Sequence, residues 1–148
     1  MKTGLTLLCT MRGTKGKFCM NKSEIKNSTD MFLYKAIVDL NSAKYLLEAF
    51  NEDKIDIDIE KIYFELQQSA EKLLKSILSK HAIIFPKSHD IEQLVDICRL
   101  NGIVLTDDIE MLIELSDYAV EGRYSIIHDD LNESEKYIEI IEKLLKHA

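Results

Sequence analysis

The sequence has little of what β-structure needs. Its 148 residues include one proline, five glycines and no tryptophan. Proline and glycine form most turns of β-sandwiches and barrels, so their scarcity favours helices. No apolar run approaches the ~20 residues that a membrane-spanning helix needs. We expect one helical domain, because a chain of this length buries an ordinary core without disulfides or a structural metal.

Cysteine is also scarce. Cys9, Cys19 and Cys98 form an odd, scattered set without the CxxC spacing of redox or zinc sites. Such a set is typical of a reducing compartment and argues against a disulfide framework. The apolar stretch after Lys2 is too short for an export signal, and no small-residue cleavage pattern follows it. There is also no glycine-rich phosphate loop. We predict a cytoplasmic protein with no metal or other cofactor and no membrane partner.

The net charge of −7 is divided unevenly along the chain. Residues 1–30 carry six lysines and arginines against two acidic residues, whereas the remainder carries thirteen against twenty-four. Phosphate affinity comes mainly from lysine and arginine, so the acidic remainder is a poor general binder of nucleic acid. Any contact with RNA must therefore be local or assisted by a partner, and we expect no binding of DNA.

The first thirty residues differ from the rest in pattern as well as in charge. They have little apolar periodicity and contain three of the five glycines. Met11, Met20 and Met31 are alternative starting points. We interpret residues 1–30 as a loose or mis-assigned N-terminal leader that precedes one helical domain, residues 31–148.

Apolar residues recur at helical spacing through the rest of the chain. Residues that favour helix starts precede several stretches: Asp30, Ser88, Thr106 and a capping-box pattern at residues 132–135. Asn101 and Gly102 form a common helix stop. The pattern predicts an all-α fold, an antiparallel bundle of four long helices or five shorter ones. The predicted helices cover residues 30–50, 57–80, 88–101, 106–122 and 132–148.

A few polar residues stand beside the apolar stripe of the second helix. Gln67, Gln68 and Glu71 fit either a dimer or partner surface or an ordinary exposed helix face. His89 lies in a Ser-His-Asp sequence, but three consecutive residues cannot serve as nucleophile, base and orienting group. We expect His89 to cap or pack at a helix start.

Arg123 and His128, with four residues between them, are the strongest candidates for chemistry. A guanidinium can hold a phosphate and an imidazole can move a proton near neutral pH, which suffices to cut RNA without a metal. The alternatives are structural: Arg123 can pair with Asp129 or Asp130, and His128 can be a surface histidine beside those carboxylates.

Three segments carry a resemblance to a known family. Residues 64–75 contain Gln-Gln-Ser-Ala-Glu-Lys, residues 86–91 read Pro-Lys-Ser-His-Asp-Ile, and residues 115–124 end in Gly-Arg-Tyr. In this order, and with an opening helix that holds Asp39 and Leu40, they resemble the HEPN family of small helical proteins. The resemblance covers residues 31–148 and implies the HEPN helical bundle.

The resemblance implies one of two functions. One HEPN branch comprises metal-independent endoribonucleases with an Arg-x(4–6)-His motif, which act as dimers whose motifs meet. The other has Arg-Tyr-Pro at this place and pairs with a minimal nucleotidyltransferase, often as toxin and antitoxin. Tyr124 is similar to the second branch, but Ser125 replaces its proline; His128 is similar to the first branch.

We therefore predict a homodimeric HEPN protein of a toxin–antitoxin or defence pair, with a minimal nucleotidyltransferase as its protein partner. In the first version it is an endoribonuclease that uses Arg123 and His128 as catalytic residues. In the alternative it is a binding subunit without catalysis. Tyr124 then serves as a modification target, whereas in the enzyme it would contact the RNA substrate.

Overall fold

The computed structural model describes residues 18–119 and 130–148, and these form a helical bundle. The predicted all-α fold is confirmed. Four α-helices, α1 to α4, make up most of the described residues, and two further elements, η1 and η2, are 3-10 helices. Their bounds are Lys22–Glu24 (η1), Ser28–Asn51 (α1), Ile59–Lys80 (α2), Ile91–Leu100 (α3), Ile109–Tyr118 (η2) and Ser134–His147 (α4).

Helix α2 is the centre of the bundle, since it contacts α1, α3, η2 and α4. Its apolar residues recur every three or four positions, so a broad stripe faces inward. Each fully buried leucine or isoleucine contributes roughly 1.5–3 kcal/mol relative to an exposed one. The fully buried leucines and isoleucines of this helix are Ile62, Leu66, Leu73, Leu74 and Leu78.

The caps of α1 and α3 lie close to the predicted ones but not on the same residues. The cap of α1 is Asn27, whose side chain accepts a hydrogen bond from the Asp30 backbone N–H at 2.9 Å. The prediction of Asp30 was wrong, because its carboxylate instead accepts from the Lys26 N–H. The cap of α3 is Asp90 rather than Ser88. Ser88 instead supports the turn that precedes α3, because its Oγ accepts a hydrogen bond from the Asp90 N–H.

The fourth predicted helix differs in type. The apolar pattern after Thr106 forms the 3-10 helix η2, which is capped by Asp108 without a side-chain hydrogen bond. Ten residues is long for a 3-10 helix, and such stretches often mark strain or a hinge. The predicted capping box at Asn132 was wrong as well: Glu133 precedes α4, and the Asn132 N–H donates to Asp130 Oδ1.

Three helices end in the same backbone motif. After α1, α2 and α3 the residues Asp53, Ala82 and Gly102 have positive φ angles of 55°, 56° and 73°. In each case the next N–H reaches back to a carbonyl five residues earlier, as from Ile83 N to Leu78 O at 3.0 Å. This is the Schellman motif, in which glycine is preferred at the left-handed position. The predicted stop at Asn101 and Gly102 is confirmed.

Residues before α1 take part in the packing. Phe18 and Met20 are buried in the core, and the Asn41 side chain donates to the Phe18 carbonyl at 2.7 Å. The division at residue 30 stays a prediction, since residues 1–17 lie outside the described part of the chain. Residues 18–20, which that division assigns to the leader, nevertheless supply two core side chains.

The cysteines differ from the sequence-based expectation. Cys19 is disulfide-bonded, whereas Cys98 is free and buried on α3. Burial raises the pKa of the Cys98 thiol to about 11, so this sulfur behaves as a small apolar group. The sequence argued against a disulfide framework, and Cys19 departs from the reduced state that is typical of such a scattered set. None of the described helices is both long enough and apolar enough for a membrane span.

Candidate functional site

The three predicted site residues, Arg123, Tyr124 and His128, lie outside the described residues. The structure does describe both ends of the segment that contains them. Ala119 follows η2 on one side, and Asp130 precedes α4 on the other. The described residues next to this segment are those around Ala119 and Asp130.

Both ends of the segment meet one tyrosine of α2. The Tyr63 hydroxyl donates a hydrogen bond to the Asp130 carbonyl at 2.8 Å. The Tyr63 ring stacks on Tyr118, with 5.2 Å between ring centroids and 23° between planes. Burial raises the pKa of Tyr63 to about 12, so the hydroxyl keeps its proton and remains a donor at physiological pH. Tyr63 thus holds Tyr118 and Asp130, two described residues on either side of residues 120–129, against α2.

A second tyrosine extends this cluster to α4. Tyr137 meets Tyr63 edge-on, with 6.0 Å between ring centroids and 81° between planes. Its hydroxyl donates to Glu114 Oε2 at 2.7 Å, which joins α4 to η2. Burial, followed by the hydrogen bond with the Glu114 carboxylate, raises the pKa of Tyr137. Aromatic pairs of this geometry add roughly 0.5–1.5 kcal/mol beyond the area they bury.

The same face of α2 continues into a buried polar network. Gln67, Glu71 and Lys75 follow Tyr63 at steps of four residues, and all three are buried. Lys75 Nζ lies 2.7 Å from Glu71 Oε1, and Gln67 Nε2 donates to Glu71 Oε2 at 3.1 Å. Neither sequence interpretation of Gln67 and Glu71, an exposed face or a partner surface, fits their burial. Gln68 is half-buried and donates to Gln67 Oε1 at 2.6 Å.

The carboxylate of Glu71 is ionised within this network. Burial by itself would raise its pKa, but the hydrogen bonds from Lys75 and Gln67, the Lys75 charge and a contact with His89 together lower it. A buried charge is tolerated when it is paired and its oxygens accept hydrogen bonds, and both oxygens of Glu71 do so.

His89 connects this network to the surface. Its Nδ1 lies 3.2 and 3.3 Å from the two Glu71 oxygens, and its backbone carbonyl accepts from Gln67 Nε2 at 3.2 Å. An ionised carboxylate only accepts, so Nδ1 carries the proton and Nε2 is the nitrogen left to face outward. The side chain is 69% exposed. His89 therefore does not simply cap or pack at the start of α3, as the sequence suggested.

An open cavity of about 840 Å³ lies beside His89. It runs from the segment before α3 along η2 and reaches Ala119, where the predicted site segment begins. The Ile91 N–H donates to Ser116 Oγ at 3.0 Å and holds the two walls together. The charged residues that line this cavity are Lys87, Asp90, Glu92, Glu110, Glu114 and Asp117.

Sequence reasoning missed the pairing of Glu71 with His89. The residues are 18 positions apart, and only the packing of the α2–α3 connection against α2 brings them together. The sequence did contain one sign of this network. Polar side chains recur every four residues, which places them on one helix face: Tyr63, Gln67, Glu71 and Lys75. Within residues 18–119 and 130–148, no group of three or more histidine, cysteine, aspartate or glutamate side chains is placed to hold a metal ion.

The described residues form a small helical bundle around α2, which carries a polar face. In the chain, the candidate segment lies between the last two elements, η2 and α4. The comparison with protein families gives its identity: the family model described as "HEPN domain" matches residues 29–148, and the chain belongs to the HEPN domain family. This confirms the resemblance seen in the sequence. No curated protein and no solved structure matches the chain.

Proposed function

We propose that the chain is the HEPN member of a toxin–antitoxin or defence pair and acts as a metal-independent endoribonuclease through Arg123 and His128. The observation that carries the proposal is membership of the HEPN family over residues 29–148, together with an Arg-x4-His sequence inside that range. The general role of the family, in RNA cleavage or in partnership with a nucleotidyltransferase, agrees with both versions considered.

The proposed reaction needs no cofactor. The RNA 2′-hydroxyl attacks the adjacent phosphorus, and the bond from phosphorus to the 5′-oxygen breaks. His128 takes or returns a proton, while Arg123 holds the non-bridging oxygens as negative charge develops on them. The products are a 2′,3′-cyclic phosphate and a 5′-hydroxyl.

The contacts of Tyr63 support this use of the segment. Catalytic side chains must be held within a fraction of an ångström of their productive positions, which favours segments with well-fixed ends. The Tyr63 ring stacks on Tyr118 before the segment, and its hydroxyl binds the Asp130 carbonyl after it. We place the active form in the cytoplasm as a homodimer, with a minimal nucleotidyltransferase as the second protein.

One observation favours the alternative, a binding subunit without catalysis. Residues 31–148 carry thirteen lysines and arginines against twenty-four acidic residues, and five carboxylates against one lysine line the cavity that reaches Ala119. Such a surface repels RNA and suits a protein partner with a basic face. In this version the nucleotidyltransferase binds the chain and Tyr124 receives the transferred group.

The deciding experiment is cleavage of end-labelled transfer and messenger RNA by the purified protein in EDTA. We expect cleavage with a 2′,3′-cyclic phosphate end, lost in His128→Ala and retained in His81→Ala. His81 is a suitable control because it is exposed at the end of α2 and its Nδ1 binds the Ile77 carbonyl. If the wild-type protein and His128→Ala are both folded and both inactive, the ribonuclease version is wrong.

A further inference from the structure

Three α-helices end beside one cavity. The last turn of α2, the residues that follow α3 and the last turn of α4 line a space of about 500 Å³. The lining consists of Ile77, His81, residues 101–106, Leu144 and His147. Small-molecule sites fall in this range of volume, and most of them are apolar with a few polar groups that orient the ligand.

We propose that this cavity binds an organic ammonium ion, an amine with an aliphatic body. The body lies against the aliphatic lining, and the ammonium group lies at the helix ends. The inference goes beyond the proposed cleavage of RNA and does not depend on it. The cavity lies at the end of α2, whereas Tyr63, which contacts Tyr118 and Asp130, is near the start of that helix.

The aliphatic part of the lining accounts for the body of the ligand. Ile77 of α2 and Leu144 of α4 belong to the buried core, and Ile103 and Leu105 are partly buried against it. Val104 remains 92% exposed. A ligand with an alkyl chain would therefore remove apolar surface of the protein, as well as its own, from water, which is favourable.

The preference for a positive charge follows from the direction of the helices. The carbonyl groups in the last turn of a helix carry partial negative charge, which favours a cation nearby. Helices α2, α3 and α4 bring this end to the cavity, at His81, Asn101 and His147. Helix α1 begins nearby, since Thr29 Oγ1 lies 2.7 Å from Ser79 Oγ, but the lining residues belong to the other three helices and to the connection after α3. The three helix ends therefore favour the same sign of ligand charge.

Two side chains at these helix ends have used their donors within the protein. His81 Nδ1 lies 2.9 Å from the Ile77 carbonyl, which can only accept, so Nδ1 carries a proton and Nε2 of the neutral ring is an acceptor. Asn101 Nδ2 donates to the Ile97 carbonyl at 2.8 Å, which leaves Oδ1 as an acceptor. An ammonium group has only donors and matches these acceptors, whereas a carboxylate or phosphate does not.

The basic residues of the same helix turns do not reverse this preference. Lys80, Arg99 and Lys146 lie in the last turns of α2, α3 and α4. Among the described residues that line the cavity, however, none is a lysine or arginine. Arg99 is paired with Glu110, and a lysine side chain is flexible enough to move away from a bound cation.

The test is a titration of the full-length, 15N-labelled protein at pH 8 and constant ionic strength, followed by the NMR signals of its backbone amides. The three probes share a six-carbon chain and differ in charge: hexylamine, 1-hexanol and sodium hexanoate. We expect hexylamine to shift the amide signals of residues 102–106 with a Kd on the order of 1 mM, as is usual for so small a ligand. Hexanoate should bind about tenfold more weakly, because the helix ends repel its charge.

Two matched variants locate the charge effect. Asn101→Lys adds a positive charge beside the cavity. Asn51→Lys adds the same charge at the end of α1, which lies away from the cavity because α1 begins beside the end of α2. Both asparagines are exposed, so loss of folding is not expected. We expect Asn101→Lys to weaken hexylamine binding about fivefold and Asn51→Lys to leave it unchanged.

The other outcomes overturn the inference. Equal binding of the three probes would show an apolar cavity without a preference for cations. Equal weakening by the two lysine variants would show a general attraction of the amine to an acidic protein. The absence of shifts at residues 102–106 with 20 mM hexylamine would show that the cavity does not bind the amine at all.

Discussion

Helix α2 pairs a lysine with a carboxylate on each of two sides, and the two pairs behave differently. Towards α1, Lys72 Nζ lies 2.5 Å from Asp39 Oδ2. Towards α3, Lys75 Nζ lies 2.7 Å from Glu71 Oε1. Burial raises the pKa of Asp39, and Lys72 offsets this only in part, whereas the pKa of Glu71 is lowered although Glu71 is the more deeply buried carboxylate.

The difference follows from the number of donors around each carboxylate. Asp39 receives its hydrogen bond from Lys72, while Glu71 is contacted by Lys75, Gln67 and His89. One cation does not compensate for the loss of water, but several donors on both oxygens do. Burial by itself therefore does not decide whether a carboxylate in this bundle is stabilised in its charged form.

Among the changes that test this comparison, Glu71→Gln should lower the free energy of unfolding most. Removing the charge leaves Lys75 buried beside a neutral amide, and breaking a buried pair from one side costs about 3–5 kcal/mol. The matched change Asp39→Asn should alter the free energy of unfolding by ~1 kcal/mol or less in either direction, since that pair is more exposed and Asp39 is not stabilised in its charged form. Urea denaturation of both variants measures the two costs. Equal losses would show that the extra donors of Glu71 contribute nothing.

The dependence of stability on pH should follow the same contrast. The folded-state pKa of Glu71 lies below its ordinary value of 4.5, so its contribution is fully present above pH 4.5 and is lost as pH falls through the lowered pKa. The folded-state pKa of Asp39 lies above 3.8, so Asp39 opposes folding at neutral pH, and acid relieves this penalty. Denaturation at pH 7 and pH 3.5 should show a smaller acid loss for Glu71→Gln than for the wild type, and a larger one for Asp39→Asn.

Hydroxyl groups on the two sides of α2 allow a third, smaller test. Tyr63→Phe keeps the ring stack but removes the hydrogen bond to Asp130, and should cost about 1 kcal/mol. Ser69→Ala, on the α1 side, removes a hydrogen bond of 2.7 Å to the Ala36 carbonyl. It should cost less, because a carbonyl inside a helix keeps its backbone partner. Urea denaturation measures both losses of stability. If Ser69→Ala loses more than Tyr63→Phe, the polar contacts towards α1 contribute more to stability than the one to Asp130.

The smallest expected effect lies at the end of α2, away from both pairs. Ala82 has a φ of 56°, a region that glycine occupies without steric cost, so Ala82→Gly should stabilise the protein or leave it unchanged, within about 1 kcal/mol. Gly102→Ala is the matched reverse change at the end of α3. A Cβ at Gly102 would meet no atom within 4 Å, so its cost, also about 1 kcal/mol, is conformational. In thermal unfolding, Gly102→Ala should lower the Tm, whereas Ala82→Gly should raise it or leave it unchanged.

The sequence predicted the helices well because their signals are local. The apolar stripe of α2 and the stop at Asn101 and Gly102 each depend on residues within a few positions of one another. The predicted caps were wrong by one to three residues, because several polar side chains compete at each helix start and the final turn geometry selects among them. Asn27 and Asp30 both make capping contacts at the start of α1, and only the former is the cap.

The candidate site was predictable only in part. Arg123 and His128 were found from their spacing, and their role stays a proposal. Glu71 and His89 were each noticed, but they were assigned to a helix surface and a helix start because nothing in the sequence relates positions 71 and 89. Their contact depends on the path of the α2–α3 connection across α2, which is fixed by contacts such as that from Gln67 to the His89 carbonyl.

The sequence by itself therefore determined the helical class, the central helix and the family, since periodicity, composition and ordered motifs are properties of neighbouring residues. Only the tertiary structure decided which polar residues are buried, which carboxylate is stabilised as an anion and which histidine is oriented toward a cavity. The physical reason is that desolvation and hydrogen bonding depend on atoms brought together from distant positions, and the free energy of each contact depends on all the others around it.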